Sequence, residues 1–213
     1  MSYPINYPTP QGANIQIFSQ GGATSDWIKP QGASFVWFTL IGAGGPGQGS
    51  TGGGSGTVTN FMCPAFLIPD VLRVYVTASP SVSDSTKIIY QQKDGTGYTL
   101  LSAEAATNAI AGTAMTANAF TAMGFFQSIA GQGGVSGGQS ASATTFLSGG
   151  SGNTGLTANY GYIIAPGSNG IFQMQPIIVG AAAPGAGKGG IGCGSGSTNT
   201  TSGGDGLAVI ITW

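Results

Sequence analysis

Residues 34–41, SFVWFTLI, run without a break into residues 42–56, GAGGPGQGSTGGGSG, and the reading of that junction decides the fold. The first stretch is β-branched and aromatic with almost no polar interruption, which predicts a strand buried on both faces. It stops sharply at Gly42. Glycine loses more backbone freedom on folding than any other residue and brings no side chain to bury. A block of it is therefore either a loose linker or a segment whose backbone packs directly on other backbone.

The chain has 40 glycines in 213 residues, and two more runs follow, at 131–155 and 180–206. A flexible linker would pair glycine mainly with serine. Here alanine, proline and single Ile, Val or Cys residues are interspersed, which favours packing. Polyglycine-II strands turn once every three residues and leave their N–H and C=O groups pointing outward. Several such strands can hydrogen-bond to one another and so satisfy those groups. Gly42, Gly44, Gly45, Gly53, Gly189 and Gly204 are the glycines expected to line close backbone contacts.

Between the runs the pattern is β. Short strands are expected at 15–19, 34–41, 161–165, 171–175, 177–179 and 207–213. Residues 57–62 alternate as a half-buried strand does, and 71–77 (VLRVYVT) is the clearest period-two segment. Lys93-Asp94-Gly95-Thr96 predicts a hairpin turn between 87–91 and 97–102, because Asp-Gly tolerates positive φ. Residues 103–122 are rich in alanine but diluted by Thr and Asn, and allow one short helix near 104–111. The expected fold is all-β, a β-sandwich or jelly-roll-like core with ordered polyglycine-II-like segments. Residues 1–24, with Pro4, Pro8 and Pro10, read as an extended N-terminal docking arm with a short strand. Residues 25–213 read as a glycine-rich β domain.

Composition excludes several functions. Only 5% of residues are charged, against roughly 25% in ordinary soluble proteins. No charge occurs between Lys29 and Asp70 or between Glu104 and Lys188. Five dispersed basic residues cannot form the stripe that a phosphate backbone requires, so no nucleic-acid partner is expected. Neither a secretory signal nor an apolar stretch long enough to span a membrane is expected. A surface so poor in charge should be partly covered by other subunits. Cys63 and Cys193 lack metal-site spacing and read as two packed, reduced thiols, with a single disulfide the alternative.

The motifs for catalysis are incomplete. Gly42-Ala43-Gly44-Gly45-Pro46-Gly47 matches G-x-G-x-x-G, but Pro46 and the glycines after it cannot open the helix that a dinucleotide site needs. Gly185-Ala186-Gly187-Lys188-Gly189-Gly190 lacks the Ser or Thr of a phosphate-binding loop, so no cofactor is expected. There is no histidine, and Asp26, Asp70, Asp84, Asp94, Glu104 and Asp205 are dispersed, three of them in expected turns. These observations predict a protein that is not an enzyme.

Trp27-Ile28-Lys29-Pro30-Gln31-Gly32, the strand from Phe35 to Leu40, Ile41-Gly42-Ala43-Gly44-Gly45 and the final Gly203-Gly204-Asp205-Gly206 followed by LAVIITW together resemble the glycine-rich domain of bacteriophage tail-fibre and virion surface proteins. The resemblance covers about residues 25–213 and is most specific at its two ends. A second similarity is to T-even-type tail-fibre-tip adhesins, whose polyglycine-II stretches stack and whose connecting loops touch the bacterial receptor. This chain has fewer, longer glycine blocks. The resemblance implies a virion protein, fibre tip or spike, made in the host cytoplasm. Contact with a bacterial surface glycan or protein, docking to other virion proteins through the arm, and a homotrimer are implied with it. A capsid decoration or fibre subunit with a purely assembly role is the alternative. Asn159, Tyr160, Tyr162 and Asn169 are the receptor-contact candidates, since Tyr supplies contact area and small amides adapt. That Tyr160 and Tyr162 instead face the core stays open.

Overall fold

The computed structural model describes residues 13–48, 51–80, 84–131, 133–134, 160–166, 172–178, 191–192, 194–195 and 202–213, with 160–166 and 172–178 described by their backbone. The protein is all-β. A five-stranded antiparallel sheet contains β1 (Asn14–Phe18), β3 (Phe35–Ile41), β4 (Val58–Pro64), β8 (Phe125–Ile129) and β11 (Leu207–Thr212), in the order β1-β11-β3-β4-β8. A four-stranded sheet orders β2 (Thr24–Ile28), β5 (Val71–Tyr75), β6 (Ser85–Gln91) and β7 (Gly97–Glu104) consecutively. β9 (Tyr160–Pro166) and β10 (Phe172–Ile178) form a separate two-stranded ribbon.

The two larger sheets pack face to face as a β-sandwich. Alternate residues of each strand turn inward, as a period of two requires. Val36, Phe38 and Leu40 of β3, Phe61 and Cys63 of β4 and Ala208 and Ile210 of β11 meet Trp27, Leu72, Val74, Ile88, Leu101 and Ala103 in one buried cluster. Trp27 sits edge-on to Phe38 at 6.0 Å between centroids, and Phe38 stacks on Phe61 at 6.4 Å. The other face of the five-stranded sheet is buried as well, through Ile41, Val58, Val209 and Ile211, with Trp37 and Ile191 packed beside them. Residues 36–41 are thus covered on both sides, as the run of apolar residues implies, whereas Ser34 and Phe35 at its start are exposed.

The hairpin turn forms as expected. Gly95 has φ 88°, and the Thr96 amide donates to Asp94 Oδ1 at 2.8 Å. Several expectations need correction. Residues 104–111 are not helical: β7 runs through Glu104, and Ala105 and Ala106 continue extended and fully buried. The Ala105 amide donates to Asp84 and the Ala106 amide to Ala43, and the Glu104 and Asn108 carbonyls accept from Thr57 and Gly54, so tertiary partners override alanine's helix propensity. β4 is not half-buried, because Val58, Thr59, Asn60 and Phe61 are all covered. The strands expected at 171–175 and 177–179 are one strand, in which Pro176 pairs with Tyr162. Proline is tolerated there because each strand of a two-stranded ribbon has a free edge. β2 and β8 were not legible: β2 (TSDWI) is largely polar and is recruited by pairing with β5. The short strand of the arm, β1, pairs with β11.

Strand register gives the sandwich two distinct ends. Ile41 pairs with both Val58 and Leu207, so β3, β4 and β11 all meet the glycine segments at one end. At the other end Phe35 faces Pro64, Asn14 faces Thr212 and Ile28 faces Val71.

Candidate binding surfaces at the two ends of the sandwich

At the first end the glycine segments form a hydrogen-bonded bundle. Gly42 and Gly45 donate to Thr57 and Gly54, both at 2.9 Å, while Gly53 and Gly56 donate to Ser195 and Gly192, also at 2.9 Å. Gly54 and Thr57 donate to Asn108 and Glu104 at 2.8 and 2.9 Å. Donors three residues apart thus serve the same neighbour, which is the three-residue turn of polyglycine II. Gly44 donates to Gly204 at 2.8 Å, Gly112 to Ser55 at 3.1 Å and Gly131 to Gly112 at 2.9 Å.

Absence of a side chain is a spatial requirement here. A Cβ on Gly53 would fall on the Gly45 carbonyl, and one on Gly56 on the Gly42 carbonyl. The same holds for Gly131 and Gly134 against Ser55 and Gly52, again at a spacing of three. Gly42 meets the Glu104 carbonyl, Gly45 that of Asn108 and Gly203 that of Gly44. Gly189 lies outside the described residues.

Buried hydroxyls tie the two sheets together at this end and bond within the bundle. Thr86 Oγ1 donates to the Ile41 carbonyl at 2.8 Å and accepts from the Thr77 amide at 3.2 Å. Thr59 Oγ1 donates to Ser102 O at 2.8 Å, and Ser195 Oγ accepts from the Gly47 amide at 2.7 Å. Asp205 Oδ1 accepts from the Ser79 amide at 2.8 Å, and Ser79 Oγ donates to Gly44 O at 2.8 Å. Among the described residues, two isolated antiparallel bridges lie away from the sheets. Gln48 and Thr51 bond reciprocally at 2.8 and 3.0 Å, and Thr107 and Ile110 at 3.0 and 2.9 Å. In the second turn Asn108 has φ 52°, and Ile110 is 71% exposed.

The opposite end is apolar. Phe66, on a 3-10 turn after β4, is 82% exposed, and the paired Ile28 and Val71 are also exposed. A depression of about 480 Å³ is lined by Ile28, Phe66, Pro30, Ala33 and Ala65 together with Lys29, Gln31 and Asp70. A smaller one of about 100 Å³ is lined by Asn14, Thr212 and Trp213 and shares residues 30–33 with the first. Trp213 stacks on Phe35 at 5.8 Å, and its carbonyl accepts from Ser34 at 2.6 Å.

The acidic residues are engaged in structural contacts. Asp70 pairs with Lys29 at 2.8 Å, Asp26 with Arg73 at 3.4 Å and Asp84 with Lys87 at 2.9 Å. Asp94 caps its turn, Glu104 accepts from the Thr113 amide at 2.9 Å, and Asp205 holds Ser79. Asp84 also accepts from Tyr75 Oη and the Ser85 amide, both at 2.7 Å. Burial works to raise its carboxyl, but the bonds from Lys87, Tyr75 and Ser85 outweigh it and hold it below the usual carboxylate range. Cys63 is a free, buried thiol, and burial pushes it up to about 11. Among the described residues no three His, Cys, Asp or Glu side chains gather as a metal site.

Of the four receptor-contact candidates, Tyr160 and Tyr162 lie in β9, two residues apart and so on one face of the ribbon. Asn159 and Asn169 lie outside the described residues. Sequence reasoning missed segment 105–112 as a bundle member because only Gly112 marks it. The run of small residues AEAAT was the available signal. No protein-family model matches the chain, and no curated protein matches it.

Proposed function

We propose that this is a bacteriophage virion surface protein of fibre-tip or spike type that contacts the host, with no catalytic role. The observation that carries the reading is the interlocked polyglycine-II bundle set on one end of a β-sandwich. Among the described residues its segments are joined backbone to backbone, with only small side chains such as Ala43, Ser55 and Ser195 buried between them, and Gln48 and Ile110 are exposed where it ends. The turns at Gln48/Thr51 and Thr107–Ile110 supply amides, hydroxyls and one exposed aliphatic residue, the chemistry of an adaptable contact surface rather than of a reaction centre. The structural engagement of the acidic residues supports the same reading.

A capsid decoration or fibre subunit is the second reading, favoured by the apolar end, where large side chains are left uncovered. Both place the protein on the particle. Purified protein should bind host cells and compete with phage for adsorption, and Ile110→Ser should weaken binding while leaving the melting temperature unchanged. Protein that binds no host cell yet stays fixed in the particle would establish the assembly role instead.

A further inference from the structure

We infer that residues 1–12 of one copy seat in the partly apolar depression of a second copy, so that the chain associates by exchanging its Tyr-Pro arm. The inference stands independently of the host-contact reading.

Three observations lead to it. The depression is open and partly apolar: Ile28, Pro30, Ala33, Ala65 and Phe66 line it beside Lys29, Gln31 and Asp70, and Phe66 has 82% of its surface exposed. Its one cation is engaged, since Lys29 Nζ binds Asp70 at 2.8 Å and the carbonyls of Ile68 and Ala65 at 2.7 and 3.2 Å, while Asp70 itself faces solvent at the rim. An uncharged, partly apolar ligand would cover Phe66 without having to displace that ion pair.

The chain itself contains such a ligand. Residues 1–12, MSYPINYPTPQG, carry no charged side chain, two Tyr-Pro pairs and three prolines. Proline-rich segments are extended before they bind, so they lose little entropy on docking, and they bind grooves with aromatic walls.

The arm also starts in the right place. Asn14 lines the smaller depression, which shares residues 30–33 with the larger. β1 pairs antiparallel with β11 and runs from Asn14 at the apolar end towards the bundle, so the chain enters β1 from that end. Extended, twelve residues reach roughly 37 Å, far enough to cross to a neighbour. Reciprocal exchange of an identical element is a low-cost route to a closed oligomer.

The test uses full-length protein in sedimentation velocity. Phe66→Asp disables the depression and Tyr3→Ser/Tyr7→Ser disables the arm; Phe66 is exposed and the arm precedes β1, so far-UV circular dichroism should not change. Each variant alone should associate more weakly than wild type by on the order of tenfold or more. An equimolar mixture of the two should recover a complex, because one intact arm then meets one intact depression. Excess synthetic peptide of residues 1–12 should dissociate wild-type protein. A monomeric wild type, or variants that associate normally, would overturn the proposal. Variants that fail alone and also fail when mixed would overturn it in favour of direct contact between the apolar ends.

Discussion

Gly53 donates its amide to the carbonyl of Ser195 at 2.9 Å, and no side chain separates the two strands. The contact joins the first glycine run to the third and depends on Gly53 lacking a Cβ, because that atom would overlap the Gly45 carbonyl on the other side. Gly53→Ala and Gly56→Ala should each cost about 2–4 kcal/mol in chemical denaturation, as overpacking against immovable backbone does. Gly133→Ala is the control: among the described residues the nearest atom to its added Cβ is Ala109 O at 3.5 Å, an ordinary contact. Its effect should stay within about 0.5 kcal/mol. Equal tolerance at all three sites would refute close backbone packing.

Thr86 joins the two sheets at the bundle end through one hydroxyl. Thr86→Val keeps the volume but leaves the Ile41 carbonyl and the Thr77 amide without that buried oxygen. The loss should be about 1–3 kcal/mol, read as a lower denaturation midpoint with unchanged slope. A midpoint equal to wild type would show that the hydroxyl adds nothing.

Cys63 keeps its proton in the folded protein up to about 11, against 9.0 for an unperturbed thiol. Above the unfolded value the native state binds more protons, so stability falls as pH rises from about 9 towards 11. Cys63→Ala should remove that alkaline slope. Mass spectrometry of the Cys63 peptide after iodoacetamide treatment at pH 8 should show no modification until denaturant is added. Rapid labelling of folded protein would contradict the burial.

Asp84 has the opposite sign. Its carboxyl is held low in the folded state, so its contribution is complete above the unfolded carboxylate value and is lost as pH falls through the folded one. Asp84→Asn should destabilise at pH 7 by about 1 kcal/mol, since the site is partly exposed. The gap to wild type should close in acid. A gap that persisted at low pH would assign the effect to packing.

Much of the sandwich is legible in local patterns. Residues 34–41 announce burial on both faces, which 36–41 have, Leu72, Val74 and Val76 alternate into the core as their spacing implies, and Asp94-Gly95 makes its turn. β8 and β2 are not legible, because strand pairing rather than propensity makes them strands. Alanine-rich 104–111 misleads for the same reason: its intrinsic preference is about 1 kcal/mol or less per residue, and bonds to Ala43, Gly54 and Thr57 outweigh it.

What the sequence determined by itself is the β class, the near absence of charge and the places where backbone would stand bare, because these follow from residue type and short-range period. Which bare segments meet was decided only in three dimensions. Glycine has no side chain to encode a partner, so the pairing of Gly53 with Ser195 and of Gly44 with Gly204 comes from the sheets. β3, β4 and β11 end at one level and deliver their glycine segments side by side, and the backbone hydrogen bonds then close the bundle.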